Sequence, residues 1–235
     1  MRRVLALAAF ACGALALGAA PAFATNECRG LMVCVPVAGP WIVVPTGRGA
    51  PRPQVEYQLS CPRGYVVGGL DAELSDRAID VSFLGTLGSP VNPGITTSRS
   101  AVFVATYVGA SARAPTFRPH IGCMPGSGGG GRVQTSASAV FPTGRPTIRR
   151  VRTVRLREVA HRVVAQGCAA AERLISGSHA VGFYTPRPPS ESLVESVSAV
   201  RVVRGGRVAV TVRAGAAVGA VRAIVQVGAV CAGGR

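Results

Sequence analysis

A hydrolytic or acid–base centre needs a nucleophile, a base and a group that orients the base. The imidazole bases of this chain are His120, His161 and His179. His120 stands in a strand-like run that ends at Cys123, and His161 stands among arginines and valines. His179 is the best placed, beside Ser178 in a turn-like stretch after Ser176-Gly177. A hydrolase would have to be built on His179 with a nearby Ser or Asp. No Gly-x-Ser-x-Gly elbow supports one, since Gly109-Ala110-Ser111-Ala112-Arg113 misses the last glycine. Asp71, Glu73, Asp76 and Asp80 are hard oxygen donors of the kind that hold calcium. Their spacing is not that of an EF-hand, and Arg77 interrupts them, so they read as a solvated loop. No catalytic residue, metal ligand or cofactor is assigned.

Charge offers a second chemistry. All 26 basic residues are arginine, against 10 acids. That bias, with abundant Ala, Gly and Val, is also what a GC-rich genome produces. The charge is uneven: residues 44–123 hold seven Arg against five acids, and residues 141–231 hold 14 Arg against four. An excess of +10 over one stretch attracts polyanions by steering and counterion release. The densest run carries Arg149, Arg150, Arg152, Arg155 and Arg157. Guanidinium forks bind phosphate and carboxylate through paired hydrogen bonds. Arg150 and Arg152 share a strand face, and Arg155 and Arg157 share the opposite one unless a bulge near Thr153 brings all four together. The competing reading is a solvated strand whose charges protect a sheet edge. Aromatic interleaving is missing, which excludes base stacking and specific nucleic-acid recognition from the expectation.

The cysteines belong to structure. Cys12 falls in a leader, which leaves Cys28, Cys34, Cys61, Cys123, Cys168 and Cys231, an even count that suits disulfides in an exported chain. An internal repeat selects the pairing. Val44-Pro45-Thr46-Gly47-Arg48 recurs as Phe141-Pro142-Thr143-Gly144-Arg145. Cys61 followed by Tyr65-Val66-Val67-Gly68-Gly69 recurs as Cys168 followed by Arg173-Leu174-Ile175-Ser176-Gly177. Each copy then runs through a strand into Cys123 or Cys231, 62 and 63 residues after its first cysteine. Cys61 therefore pairs with Cys123, Cys168 with Cys231, and Cys28 with Cys34. No zinc-type spacing competes.

These landmarks sit on strands. Val208, Val210 and Val212 alternate with Arg207, Ala209, Thr211 and Arg213, the period of a half-buried strand. Residues 102–107 are apolar on both faces, which suits a more buried strand. Val221, Ala223, Val225 and Val227 give another before Cys231. Gly and Pro punctuate the rest, and short strands at this spacing predict a sandwich or barrel. A short helix is expected after Ser190, an N-cap residue, through Leu193, Val194 and Val197. Gly126-Ser127-Gly128-Gly129-Gly130-Gly131 reads as a linker, because the Lys-Ser/Thr of a phosphate-binding loop does not follow it.

The string Cys61-Pro62-x-Gly64-Tyr65-Val66-Val67-Gly68-Gly69, closing on Cys123, resembles small secreted disulfide-containing β-domains of high-GC bacteria. The likeness covers residues 61–123 well and 168–231 poorly, where the Pro and the double Gly are missing. It implies a fold and transfers no functional residue.

Arg2 and Arg3, an apolar stretch over residues 4–17 and the small-residue site Pro21-Ala22-Phe23-Ala24 read as a cleaved signal peptide. The apolar stretch is shorter than the ~20 residues a membrane span needs, and no later stretch is long enough. The expected organisation is a signal peptide (1–24), an N-terminal segment with a small disulfide loop (25–43), a first β repeat (44–125), a Gly/Ser-rich linker (126–139) and a basic second β repeat (140–235). The expected fold is all-β, with tandem sandwich-like repeats each stapled by one disulfide. The expected role is a secreted, non-catalytic binding or structural protein of the envelope or extracellular space. Anionic extracellular polymers are the partner class that the arginines suggest.

Overall fold

The computed structural model describes residues 25–85, 99–110, 114–126 and 147–233. The signal-peptide stretch and the linker beyond Gly126 lie outside the described residues. Within them the chain is built of β-strands: β1 (Val35–Ala38), β2 (Trp41–Val43), β3 (Gln54–Ser60), β4 (Tyr65–Leu74), β5 (Ile79–Gly85), β6 (Ser100–Tyr107), β7 (Thr116–Pro125), β8 (Thr147–Arg155), β9 (Ala160–Gly167), β10 (Glu172–Tyr184), β11 (Val197–Arg204), β12 (Arg207–Ala214) and β13 (Arg222–Gly233). A short helix α1 (Glu191–Glu195) and a 3-10 turn (Ala216–Ala220) complete the described elements.

Local chemistry accounts for these elements. In β12, Val208, Val210 and Val212 are buried and Arg207 and Arg213 are exposed, as the alternation requires. β6 is apolar on both faces, and Val102, Phe103, Val104 and Ala105 are all buried. Ser190 caps α1, its Oγ accepting from the Leu193 amide at 3.3 Å, and Val194 turns into the core.

Three antiparallel sheets result. The large one runs β1-β7-β2-β10-β13-β8, with β4 also paired to β7. The small ones are β3-β6-β5 and β9-β12-β11. β2 pairs with β7 through Ile42 and Val43 and with β10 through Trp41 and Ile42, so the large sheet crosses from one half of the chain to the other. One core gathers Val55, Tyr57, Phe103 and Tyr107 of the first small sheet with Val67, Phe117 and Ile121. The other gathers Val164, Val208, Val210 and Val212 of the second small sheet with Val225, Val227 and Ala229 of β13.

The strand order repeats. The first small sheet lies against β4 and β7, and the second against β10 and β13. Each of these pairs carries one register irregularity, between Val67 and Gly69 in β4 and between Leu174 and Ser176 in β10. Val67 sits opposite Cys123, and Leu174 opposite Cys231. Beyond those cysteines, β1 and β2 flank β7 as β8 flanks β13. Residues 44–48 follow β2, whereas residues 141–145 precede β8 and lie outside the described residues.

All three disulfides form as the spacing requires: Cys28–Cys34, Cys61–Cys123 and Cys168–Cys231, with Cα–Cα distances of 5.6, 5.7 and 5.7 Å. Cys61 directly follows β3 and Cys168 directly follows β9, so each long bridge ties a small sheet to the large one. The Cys28–Cys34 loop belongs to a segment laid on β4 and β7. There the Glu27 carbonyl oxygen comes so close that a Cβ on Gly69 would lie 1.8 Å from it, and one on Gly122 2.1 Å. Only glycine admits that approach.

The halves are also clamped by one buried amide. Gln226, 6% exposed in β13, accepts from the Gln58 amide through Oε1 at 2.7 Å. Its Nε2 donates to the Gln58 carbonyl at 3.0 Å and to Thr153 Oγ1 at 3.1 Å. A side chain thus completes the backbone bonding of β3, an edge strand. Gln226→Leu keeps the bulk and leaves the Gln58 N–H and C=O without that partner, which costs about 2 kcal/mol or more. A urea titration should show the loss as a lower midpoint, and an unchanged midpoint would mean that the clamp is energetically idle.

Candidate functional site

The register of β8 with β13 is unbroken from Thr147 to Arg155. Alternation therefore puts Arg149, Thr153 and Arg155 on one face and Arg150, Arg152 and Val154 on the other. No bulge gathers the strip, and neighbours divide it further. Arg149 forms an ion pair with Glu56 of β3 at 2.5 Å, and its side chain is only 6% exposed. Arg150 grips Glu172 with both prongs, Nε to Oε2 at 2.9 Å and Nη2 to Oε1 at 2.5 Å. Those hydrogen bonds hold the Glu172 carboxyl below its ordinary range and raise the Arg150 guanidinium above its own. Arg152 is exposed, with Nη1 3.5 Å from the Ala165 carbonyl. Of the five arginines of the run, Arg149 and Arg150 thus serve internal ion pairs.

Arg155 and Arg157 are different. Leu156 between them is buried at 3% exposure, and its N–H donates to the Ala223 carbonyl at 2.9 Å, which turns both arginines away from that core. They line an open groove of about 680 Å³ together with Arg162 of β9 and Glu158. Leu156 and Val218 provide its apolar part, and the 3-10 turn borders it. Among the described residues no ion pair engages Arg155, Arg157 or Arg162. The partners Glu56 and Glu172 and the third arginine, Arg162, were not legible in the run itself. Arg162 reaches the groove because β9 follows β8 after a short turn but enters a different sheet, which the run of arginines does not reveal.

The histidines do not assemble a catalytic group. His179 lies within β10, opposite Val227, rather than in a turn. It lines a cavity of about 190 Å³ with Val43, Val55, Ala180 and Val194, and no carboxylate or hydroxyl group lines that space. Such a volume is well below the ~300 Å³ of small ligand pockets. Burial, and secondarily the nearby Arg201 charge, push His179 below its ordinary value. His161 is exposed on β9. His120 is 6% exposed in β7, with Nδ1 3.7 Å from Glu27 and Nε2 3.3 Å from Glu73. Burial outweighs the pull of Glu73 and Glu27 and lowers its pKa, so the ring is neutral at pH 7.

The four clustered acids disperse. Asp71 Oδ2 accepts from the Asn26 amide at 2.6 Å, and Glu73 faces His120 and Arg118. Asp76 accepts from the Ala78 amide at 2.8 Å and the Tyr107 hydroxyl at 3.2 Å, and Asp80 is exposed on β5. Cys168, Glu172 and Cys231 do bring ligand-type atoms within 4.8 Å of one another, but both sulfurs are spent in a disulfide. The outer face of the second small sheet bares Val163, Val200 and Val202 at 60, 63 and 54% exposure, whereas Val102 and Val104 in the first are buried. Among the described residues no helix is long and apolar enough to cross a membrane. No family model, curated protein or solved structure matches the chain.

Both lowered histidines tie stability to pH. The unfolded chain takes up protons near 6.5, and the native rings do so only at lower pH, so the stability they confer is complete above 6.5 and falls below it. The urea midpoint should drop as the pH is lowered below 6.5. His120→Gln and His179→Gln should each flatten part of that slope, and slopes equal to the parent's would remove the histidines as its cause.

Proposed function

We propose that the protein is a non-catalytic binding or structural protein of the cell envelope or extracellular space. The ligand class that its surface favours is an anionic polymer, engaged through the second half. The observation that carries this is the charge asymmetry: 14 Arg against four acids over residues 141–231, where Glu172 is spent on Arg150 and Glu158 pairs with none of the described arginines. The first half, at seven against five, has no such surplus. Three disulfides are compatible with an oxidising compartment, and the leader read over residues 1–24 supports export.

We further infer that the chain arose by internal duplication. The common strand order, the register irregularity at the same distance from the disulfide and the equivalent bridges support it. On this reading the first repeat begins with β1, inside the stretch expected to be a separate N-terminal segment, and the pentapeptide match is fortuitous. The likeness to small secreted β-domains of high-GC bacteria remains part of the proposal and points to no activity.

Binding driven by counterion release has a signature. The affinity of the full exported chain for heparin or duplex DNA should fall steeply with salt, with a log–log slope near about −0.9 per phosphate neutralised on duplex DNA. Binding that ignores salt between low and physiological strength, or none at low salt, would reduce the arginines to genomic composition.

A further inference from the structure

We infer that the groove at the turn between β8 and β9 binds a phosphate group, held by Arg155, Arg157 and Arg162. The inference rests on the anionic-polymer reading above and gives it an address. Strand alternation around the buried Leu156 sends Arg155 and Arg157 to the same side. The chain then reverses, and β9 returns Arg162 to the same groove, in register with Val212 of β12.

The reversal is made by an unusual residue. Val159 has φ of 48°, in the left-handed region that a β-branched side chain rarely enters, and it is 78% exposed. Strained turns of this kind are retained where the surrounding structure needs their geometry. Here the geometry brings three guanidiniums to one place. Elsewhere on β8, Arg149 is neutralised by Glu56 and Arg150 by Glu172, and Arg152 lies exposed outside the groove. In the groove one carboxylate, Glu158, faces three arginines: it lines the groove against Gly219, where a Cβ would be 2.2 Å from its Oε2, and forms no ion pair with them among the described residues. The groove therefore keeps its positive charge.

The lining selects the ligand class. Guanidinium forks match tetrahedral oxyanions. No aromatic side chain lines the groove, so a base or sugar ring has nothing to stack on. Phosphate could arrive free or as a unit of a polymer, and the probes below separate the two.

The test uses the full exported chain with inorganic polyphosphate as ligand, followed by calorimetry across a salt series. Arg155→Gln, Arg157→Gln and Arg162→Gln combined should weaken binding at least about tenfold and reduce the salt slope by about one per arginine removed. A control combining Arg204→Gln, Arg207→Gln and Arg213→Gln removes equal charge from the outer side of the second small sheet and should have a much smaller effect. Should the groove triple fail to fold, Arg157→Gln alone, beyond the end of β8, should still weaken binding. Glu158→Gln should tighten it. Orthophosphate that displaces polyphosphate marks a pocket for single phosphates, and displacement only by longer chains marks a polymer site. If both triples weaken binding equally, or Glu158→Gln changes nothing, the groove is not the site although the polymer reading stands. If the unaltered protein binds no polyphosphate at low salt, both fall.

Discussion

Strand β13 is buried on both of its faces, and that constraint organises the molecule. Its odd positions, Ala223, Val225, Val227 and Ala229, fill the second core. Its even positions turn toward the first half, where Ile224 joins the other core and Gln226 bonds the edge of β3. A strand so placed cannot carry charge between its ends, and it must satisfy any polar group it buries. Gln226 meets that demand because its amide offers a donor and an acceptor to one backbone unit. The three-residue strand β2 works in the same direction, linking β7 and β10 so that the large sheet does not end between the halves.

The position of the charges follows from this packing. β8 is paired to β13 along its whole length, so its arginines are divided between a face directed at β3 and a face directed at the second core. Arg149 meets Glu56 because β3 lies across from it, and Arg150 meets Glu172 at the start of β10, on the far side of β13. Around Leu156, where pairing with β13 gives way to the turn, Arg155 and Arg157 face solvent together. The groove is thus a product of where the strand stops being covered.

Much of the fold was legible in the residues. The alternation of Val208, Val210 and Val212 defined β12, Ser190 marked a cap, and the repeated landmarks around the cysteines selected three pairings out of many. What stayed hidden depends on long-range partners. A run of arginines looks the same whether or not a carboxylate waits across a sheet, and Glu56 is 93 residues from Arg149 in the chain. His179 looked like a turn residue because Ser176-Gly177 precede it, yet the pairing with β13 continues through them as a local irregularity.

The disulfides lie one after another along the chain, Cys28–Cys34, Cys61–Cys123 and Cys168–Cys231, with none nested or crossed. Counting from Cys28, each cysteine that opens a bridge has its correct partner as the next cysteine along the chain. Simple sequential oxidation of neighbouring thiols then yields the native set, and no shuffling of bonds by an isomerase is required. The first long loop can close before Cys168, which opens the second, has been made. The order of bond formation is written into the linear arrangement of the cysteines and is independent of how quickly the sheets find their register.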